Sequence, residues 1–317
     1  MSDSTIKQHY VWRYYLSPWT SNQEKDGQIY CLMENKIFFT ALMGVGNQRY
    51  FYKVPDFTER QIHIARLFNE RLSKDPILRK ANEKWIELFQ FPLAIKKQLS
   101  VFAQTNESNE MYEHMRNNIG EMYHTTIEHS AINQLDLLKL HKISFLDNDE
   151  EKVNFYLYLA NQLSRTKRMR DRFLDSIAND NEKPEGYSFD SEDEKNLDFL
   201  LKIFVATNLG LTLAWKKFRI TFLDNNSELP FITGDQPVIN TYADYTNNAT
   251  PDELAFYYPL TPQLAILVHE KCQSALDSDT LTLTADQVDM YNKKIIAASL
   301  QQIYASSRTT LERYSKS

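Results

Sequence analysis

Phe155-Tyr156-Leu157-Tyr158-Leu159-Ala160-Asn161-Gln162-Leu163-Ser164-Arg165-Thr166, within the segment Glu150 to Ala178, carries the pattern on which the fold turns. Counting 100° per residue from Phe155 places Leu159, Gln162, Thr166, Met169 and Phe173 within about 40° of it, a single stripe nearly five turns long. Val153, Leu157 and Ala160 occupy the other side. The first half of this helix is therefore expected to be covered on both faces and to lie in the core. Gln162 sits in the middle of the stripe. A primary amide buried there must find partners or cost about 1–3 kcal/mol, and Arg165 stands one turn away.

Outward from this helix the pattern changes at both ends of the chain. The opening is extended and aromatic, with Tyr10, Trp12, Tyr14 and Trp19. Short strands are expected at Gln28 to Met33, Lys36 to Leu42 and Gln48 to Val54, separated by Asp26-Gly27 and Gly46-Asn47. Helical spacing begins at Thr58. Asp75-Pro76 is an N-cap followed by proline at the first helical position, with Ile77, Ala81, Trp85 and Leu88 recurring behind it. Between Glu107 and Leu140 the buried face rotates: Met111, Met115, Ile119 and Thr126 share one side with Met122, whereas Ile127, Ala131, Leu135 and Leu138 lie nearly opposite. Glu121, His124 and Glu128 sit beside that second stripe.

Asn179 to Asn196 reads as an exposed loop, and Leu197 to Trp215 as a buried helix too short in its uninterrupted apolar part to span a bilayer. Strand signals return at Phe218 to Leu223, Pro230 to Asn240, Phe256 to Tyr258 and Leu264 to His269. Thr284-Ala285-Asp286-Gln287 is a capping box that opens a last helix with Val288, Tyr291, Ile295 and Ser299 facing inward. The expectation is an α+β fold: one mostly helical domain over residues 1–317, with a small antiparallel sheet built from N-terminal and C-terminal strands.

Composition agrees. Of 317 residues 42% are hydrophobic, enough for a sizeable core, and the seven glycines argue against glycine-rich phosphate loops. A formal charge of -6 argues mildly against coating nucleic acid or an anionic membrane. Cys31 and Cys272 supply neither a disulfide framework nor a metal cluster. With no apolar stretch resembling a signal at the start, a soluble cytoplasmic protein without membrane contact is expected, and nothing in the sequence indicates its oligomeric state.

No Gly-x-Ser-x-Gly, Walker, His-Glu-x-x-His, Cys-x-x-Cys, dinucleotide or kinase signature is present. Glu121-Met122-Tyr123-His124 has the one-turn spacing of carboxylate metal sites in bundles, but no second copy exists, and a helix surface is the better reading. Thr233-Gly234-Asp235-Gln236-Pro237 interrupts an apolar strand run with a carboxylate, read equally as an aimed functional group or a turn that caps its own backbone. The basic run Arg165, Lys167, Arg168, Arg170, Arg172 is expected to be solvated charge except at Arg165, and His9 a packed core histidine.

Taken in order, His9-Tyr10-Val11-Trp12-Arg13-Tyr14-Tyr15-Leu16, Ile127-Glu128, Gln162-Leu163-Ser164-Arg165-Thr166, Phe231-Ile232-Thr233-Gly234-Asp235-Gln236-Pro237-Val238, Tyr258-Pro259-Leu260-Thr261-Pro262 and Asn292 resemble the signature of the bacterial DUF4238 family, across nearly the whole chain. Trp12 departs from the proline usual in that family, and Gly234 from a common serine. The family is one of unknown function, so the resemblance implies shared polar positions without naming a reaction. It selects His9, Glu128, Gln162, Arg165 and Asp235.

Two functions are open to that set. In the first the chain is a hydrolase of phosphodiesters or nucleotides, a nuclease-like enzyme that by analogy would serve bacterial defence. His9, Glu128 and Asp235 are then catalytic, and Arg13, Gln162, Arg165 and Asn292 bind substrate. Glu128 and Asp235 are the candidate ligands for Mg or Mn. The second function is non-catalytic binding, with the same residues closed into a structural network.

Overall fold

The computed structural model describes residues 7–24, 26–101, 105–169, 190–216, 218–245, 251, 253–270 and 280–315. Eleven strands and nine helices are seen among them. β1 (Lys7–His9), β2 (Gln28–Met33), β3 (Lys36–Ala41) and β4 (Asn47–Arg49) open the chain, with α1 (Arg13–Leu16) after β1. The helical middle comprises α2 (Glu59–Leu72), α3 (Pro76–Val101), α4 (Asn106–Ser130), α5 (Ile132–Lys139), α6 (Asp149–Ser164) and α7 (Ser191–Trp215). β5 (Phe218–Asn225), β6 (Thr233–Gly234), β7 (Ile239–Asn240), β8 (Ala255–Thr261), β9 (Leu264–Glu270) and β10 (Thr280–Leu283) follow, then α8 (Ala285–Ala298), β11 (Ile303–Ala305) and α9 (Arg308–Tyr314).

The fold is α+β, but the described residues form three sheets rather than one. The expected union of chain ends is the four-stranded sheet β3-β2-β11-β6, in which β11 pairs antiparallel to β2 on one side and β6 on the other. A five-stranded sheet of order β10-β5-β9-β8-β7 is separate from it and includes a parallel pair, β10 with β5. β1 and β4 form a third, two-stranded ribbon.

The five-stranded sheet divides the core. Phe256, Tyr258, Ile266 and Val268 face a large cluster shared with the helices and the aromatic N-terminal segment, while Ala255, Tyr257, Ala265 and Leu267 face a second cluster with α8, α9 and the four-stranded sheet. Covered on both faces, β8 and β9 are apolar without alternation. This explains why Phe256 to Tyr258 and Leu264 to His269 stand out in the sequence.

Caps at Thr284 and Asp75 fall where the sequence places them, Thr284 closing a capping box and Asp75 accepting from the Ile77 N–H at 2.7 Å, and Thr58, where helical spacing begins, closes a further capping box. Several faces and boundaries are different. Ile77 is 62% exposed, and α3 buries Leu78, Asn82, Ile86 and Phe89, a face about one residue round from the expected stripe. Met111 and Met122 of α4 are also exposed, because the turn and following loop of residues 50–54 dock on that helix and draw Asn117, His124 and Glu128 inward. For the same reason Gln48 to Val54 is strand only as far as Arg49. α7 begins at Ser191, capped by Asp190, so residues 191–196 belong to a helix rather than a loop. Residues 170–189, with Arg170, Arg172 and Phe173, and Cys272 lie outside the described residues.

α7 is the one described helix long and apolar enough to cross a membrane, and 67% of its apolar window is buried within the protein. Gly210 is where it meets α6: a Cβ there would lie 2.8 Å from Leu157 Cα. That close approach seals the second face of the helix that carries Gln162.

Candidate functional site

The site begins with the way the N-terminal segment is stitched to α4. Gln8 is fully buried; its Nε2 donates to the Asn117 carbonyl at 2.8 Å, and its Oε1 accepts from the Tyr52 N–H. The Val54 N–H donates to the Arg116 carbonyl at 3.0 Å. A glycine permits this contact, for a Cβ on Gly120 would sit 2.1 Å from the Tyr52 carbonyl oxygen. Tyr52 is thereby laid over the next turn of α4, its ring 3.9 Å from that of His124, and its hydroxyl donates to the His9 carbonyl at 3.2 Å.

The other wall is the end of α6. The single stripe expected to run to Phe173 is interrupted at Arg165, which caps the helix with φ -78°, ψ -6° and donates its N–H to the Asn161 carbonyl. Thr166 stays buried, but its hydroxyl turns to Gln236 Oε1, which ties the break to the loop after β6. Ending the helix here turns the Arg165 side chain back along it. Its Nη2 donates to Gln162 Oε1 at 2.9 Å, and its Nη1 lies 2.6 Å from Glu128 Oε1. Arg165 is 3% exposed and Gln162 fully buried.

Around this ion pair the polar atoms are incompletely matched. Among the described residues His9 Nε2, Glu121 Oε2, Gln162 Nε2 and Arg165 Nε are buried without a hydrogen-bond partner. Burial raises the Glu121 carboxyl, the nearby Glu128 charge raises it further and Arg165 opposes, leaving it at about 7. Burial raises Glu128 as well, against the pull of Arg165. His9 is lowered to about 4, chiefly by burial and then by Arg13 and Arg165. Burial alone would lower the Arg165 guanidinium, but Tyr52 and Glu128 outweigh it and hold the charge firmly.

His9, Glu128, Gln162 and Arg165 thus gather at one place, from β1, α4 and α6. Glu121 joins them, a residue that sequence reading placed at a helix surface. Its signal was there: Glu121 and Glu128 are seven residues apart, two turns along one face of α4, so a partner that buries one also covers the other. Tyr52 was not legible, because no periodicity marks a turn that lies across a helix.

Asp235, Asn292 and Arg13 are engaged elsewhere. Asp235 is 3% exposed, and its carboxylate accepts from the Leu300 N–H at 2.8 Å, Gln301 at 2.8 Å and Gln302 at 3.1 Å, while its own N–H donates to the Gln302 carbonyl. It neither turns out to a cleft nor caps its own turn; it fastens β6 to the approach to β11. Gly234 completes that junction, since a Cβ there would meet Ser299 Oγ at 2.0 Å. Asn292 accepts from the Ile232 N–H and donates to the Pro230 carbonyl and the Tyr314 hydroxyl, which joins α8 to the same strand and to α9. Arg13 donates to Met43 Sδ at 2.9 Å, near enough to lower His9. In the basic run, Lys167 donates to Gln301 and Arg168 to the Tyr245 carbonyl, so both tie the end of α6 to the C-terminal half.

Among the described residues no three His, Cys, Asp or Glu side chains converge to hold a metal ion. Glu121 and Glu128 are two neighbouring carboxylates, but Asp235, expected as the second ligand, has both oxygens on backbone amides. The donor set here does not fit a divalent ion on its own. Beside the ion pair, α4, α6 and α7 enclose a cavity of about 30 Å³ bordered by Tyr52, His124, Asn161, Ser164, Arg165 and Lys202.

No curated protein and no solved structure matches the chain. The family model for proteins of unknown function, DUF4238, matches residues 7–309, from the first residue of β1 into α9. The matched span contains the whole polar centre around Arg165 together with Asp235 and Asn292, the positions that the ordered motifs had singled out, and the chain belongs to the DUF4238 family.

Proposed function

We propose that the chain is a hydrolase of phosphoester or phosphodiester bonds in nucleotides or nucleic acid, with its reaction centre at Arg165, Glu128 and Glu121. The observation that carries this reading is the convergence of unpartnered buried donors and acceptors on one guanidinium, beside a carboxyl held at about 7. A network that serves only to hold a fold satisfies its atoms, since each unmatched buried group costs about 1–3 kcal/mol. Asn82, Asn117, Gln134 and Tyr257 each leave one buried atom unmatched elsewhere in the described residues, but at Arg165 several such atoms gather at one charge, whereas Asp235 and Asn292 are fully matched to backbone groups.

The chemistry follows from the groups. Arg165 presents N–H donors suited to a phosphoryl oxygen, and Glu121, half protonated near neutrality, can give a proton to a leaving oxygen. The non-catalytic reading draws on a different observation, the Glu128–Arg165 ion pair, which binds α4 to α6 and would anchor the fold in either case.

The test is turnover by the unmodified protein on RNA, DNA, nucleotides and chromogenic phosphate mono- and diesters, with and without magnesium or manganese. Hydrolysis that is lost in Arg165→Lys supports the reading. Absence of turnover on every member of the panel overturns it in favour of binding alone.

A further inference from the structure

Arg165 is shut away from solvent, but one wall around it is not helical. The cavity beside it, of about 30 Å³, has room for roughly two water molecules and none for a phosphoester. His124 lines it from α4, Arg165 from the cap of α6 and Lys202 from α7, whereas Phe51 and Tyr52 belong to no helix or strand. The helical walls are fixed, α7 lying against α6 so closely at Gly210 that a Cβ would come within 2.8 Å of Leu157 Cα. The remaining wall is held differently.

Residues 50–53 form a turn closed on itself by the Lys53 N–H, which donates to the Tyr50 carbonyl at 3.1 Å, so they can move as one piece. Tyr50 enters that turn with φ 54°, the left-handed region that a bulky side chain rarely adopts, a strain that is relieved once the turn lifts. Val54 fixes the other end: it is fully buried, its N–H donates to the Arg116 carbonyl, and Pro55 follows. Between these ends the turn rests on Gly120, which has no side chain to interlock with it. Its other ties are single contacts. They are the Tyr52 N–H to Gln8, the Tyr52 hydroxyl to the His9 carbonyl, the half-exposed Lys53–Glu113 ion pair at 2.6 Å, and the rings of Phe51 on Tyr10 and Tyr52 on His124. Tyr52 lies in the fields of Arg165, Glu128 and Glu121 alike, so this one side chain covers the whole polar centre.

We infer that residues 50–53 are a lid on the Arg165 centre, hinged at Tyr50 and Val54, and that a phosphoryl group reaches the guanidinium when this lid lifts. As a substrate gate the lid rests on the hydrolase reading. Closed, it keeps water from the Arg165–Glu128 ion pair and so strengthens the field there. Lifted, it enlarges the small cavity at the wall where Phe51 and Tyr52 stand and gives a ligand the space that the closed form lacks.

Amide hydrogen exchange on the unmodified protein tests the motion. The Tyr52 N–H should exchange at least 10²-fold faster than the Arg165 N–H, at a rate that low urea does not change, while the Val54 N–H stays protected. Exchange at Tyr52 that matches Arg165 in rate and in urea dependence would show that the turn opens only with the whole molecule, and would overturn the lid. Phenylglyoxal, which modifies arginine and is too large for the closed cavity, tests the route. Gly120→Ala, which wedges the turn from below, should speed Tyr52 exchange and Arg165 modification together by about tenfold. Lys53→Ala, at the surface, should speed both by about two- to fivefold and decides alone if Gly120→Ala does not fold. Faster Tyr52 exchange with unchanged Arg165 modification would overturn the lid as the way in. A lid that fails these tests in a protein that hydrolyses a phosphoester leaves the hydrolase reading standing; a lid that passes them in a protein that hydrolyses none is not a substrate gate, and falls in that role together with the hydrolase reading.

Discussion

Replacing Asp235 with alanine should unfold the protein more easily while leaving the polar centre intact. Its carboxylate accepts three backbone N–H groups, from Leu300, Gln301 and Gln302, at 2.8–3.1 Å. Hydrogen bonds to a charged acceptor contribute about 1.5–3 kcal/mol each, so three at the low end give roughly 4.5 kcal/mol. Two terms reduce this. Leu300 is 44% exposed, so water can reach part of the loop once the carboxylate is gone, and the wild-type carboxylate must itself be desolvated, which is why burial raises its pKa. A net loss of about 3 kcal/mol remains, with Asp235→Asn, which keeps one acceptor oxygen, losing about 2 kcal/mol. Equilibrium urea unfolding followed by circular dichroism measures it as a lower midpoint at unchanged slope. A loss below about 1 kcal/mol would show that these three bonds do not hold β6 to β11 and would return Asp235 to the catalytic candidates.

Three further outcomes follow from the site. Glu121→Gln should stabilise the protein above neutrality: the folded-state pKa of about 7 lies above the unfolded value of 4.5, so the wild-type contribution is present at low pH and is lost as pH rises from 4.5 through 7, up to about 3 kcal/mol at pH 8 by denaturant titration. His9→Gln works in the opposite window: a folded pKa of about 4 below the unfolded 6.5 makes the wild type lose stability as pH falls from 6.5 toward 4, by up to about 3 kcal/mol, and the variant's acid limb should be flatter by that amount. Gly120→Ala should cost about 1–3 kcal/mol, because its Cβ meets the Tyr52 carbonyl at 2.1 Å, and should move Tyr52 off His124; unchanged stability would contradict the close docking of segment 50–54 on α4.

Much of this architecture is legible in the sequence, for physical reasons that also mark where legibility ends. Caps and strongly β-branched or aromatic runs are local, so the caps at Asp75 and Thr284 and strand β2 fall where they are expected. Which face of a helix is buried depends on what docks against it. α4 shows this: Met122 is left exposed because a segment from residues 50–54, unrelated in sequence, covers the opposite side. Gln162 and Arg165 are recoverable because a polar residue on an apolar stripe demands a partner wherever the chain goes. Asp235 is misleading for the same reason that it is conspicuous, since a carboxylate interrupting a strand serves equally to catch backbone amides from a distant loop. His124 is hidden because its spacing from Glu121 is that of any exposed helix turn until Tyr52 is laid over it, and the two-turn spacing of Glu121 from Glu128 points inward only once Glu128 is known to be buried.

The central claim is that strain at the Arg165 centre is retained for chemistry, and Glu121→Gln tests it most directly because stability and activity should move in opposite directions. Measured at pH 8 the variant should be more stable than the unmodified protein by up to about 3 kcal/mol, and at pH 6.5, where Glu121 is largely protonated, its hydrolysis of the substrate found in the panel should be lower by about 10²-fold or more. A variant that is stabilised and hydrolyses at the full rate, or one that is destabilised, would contradict the account.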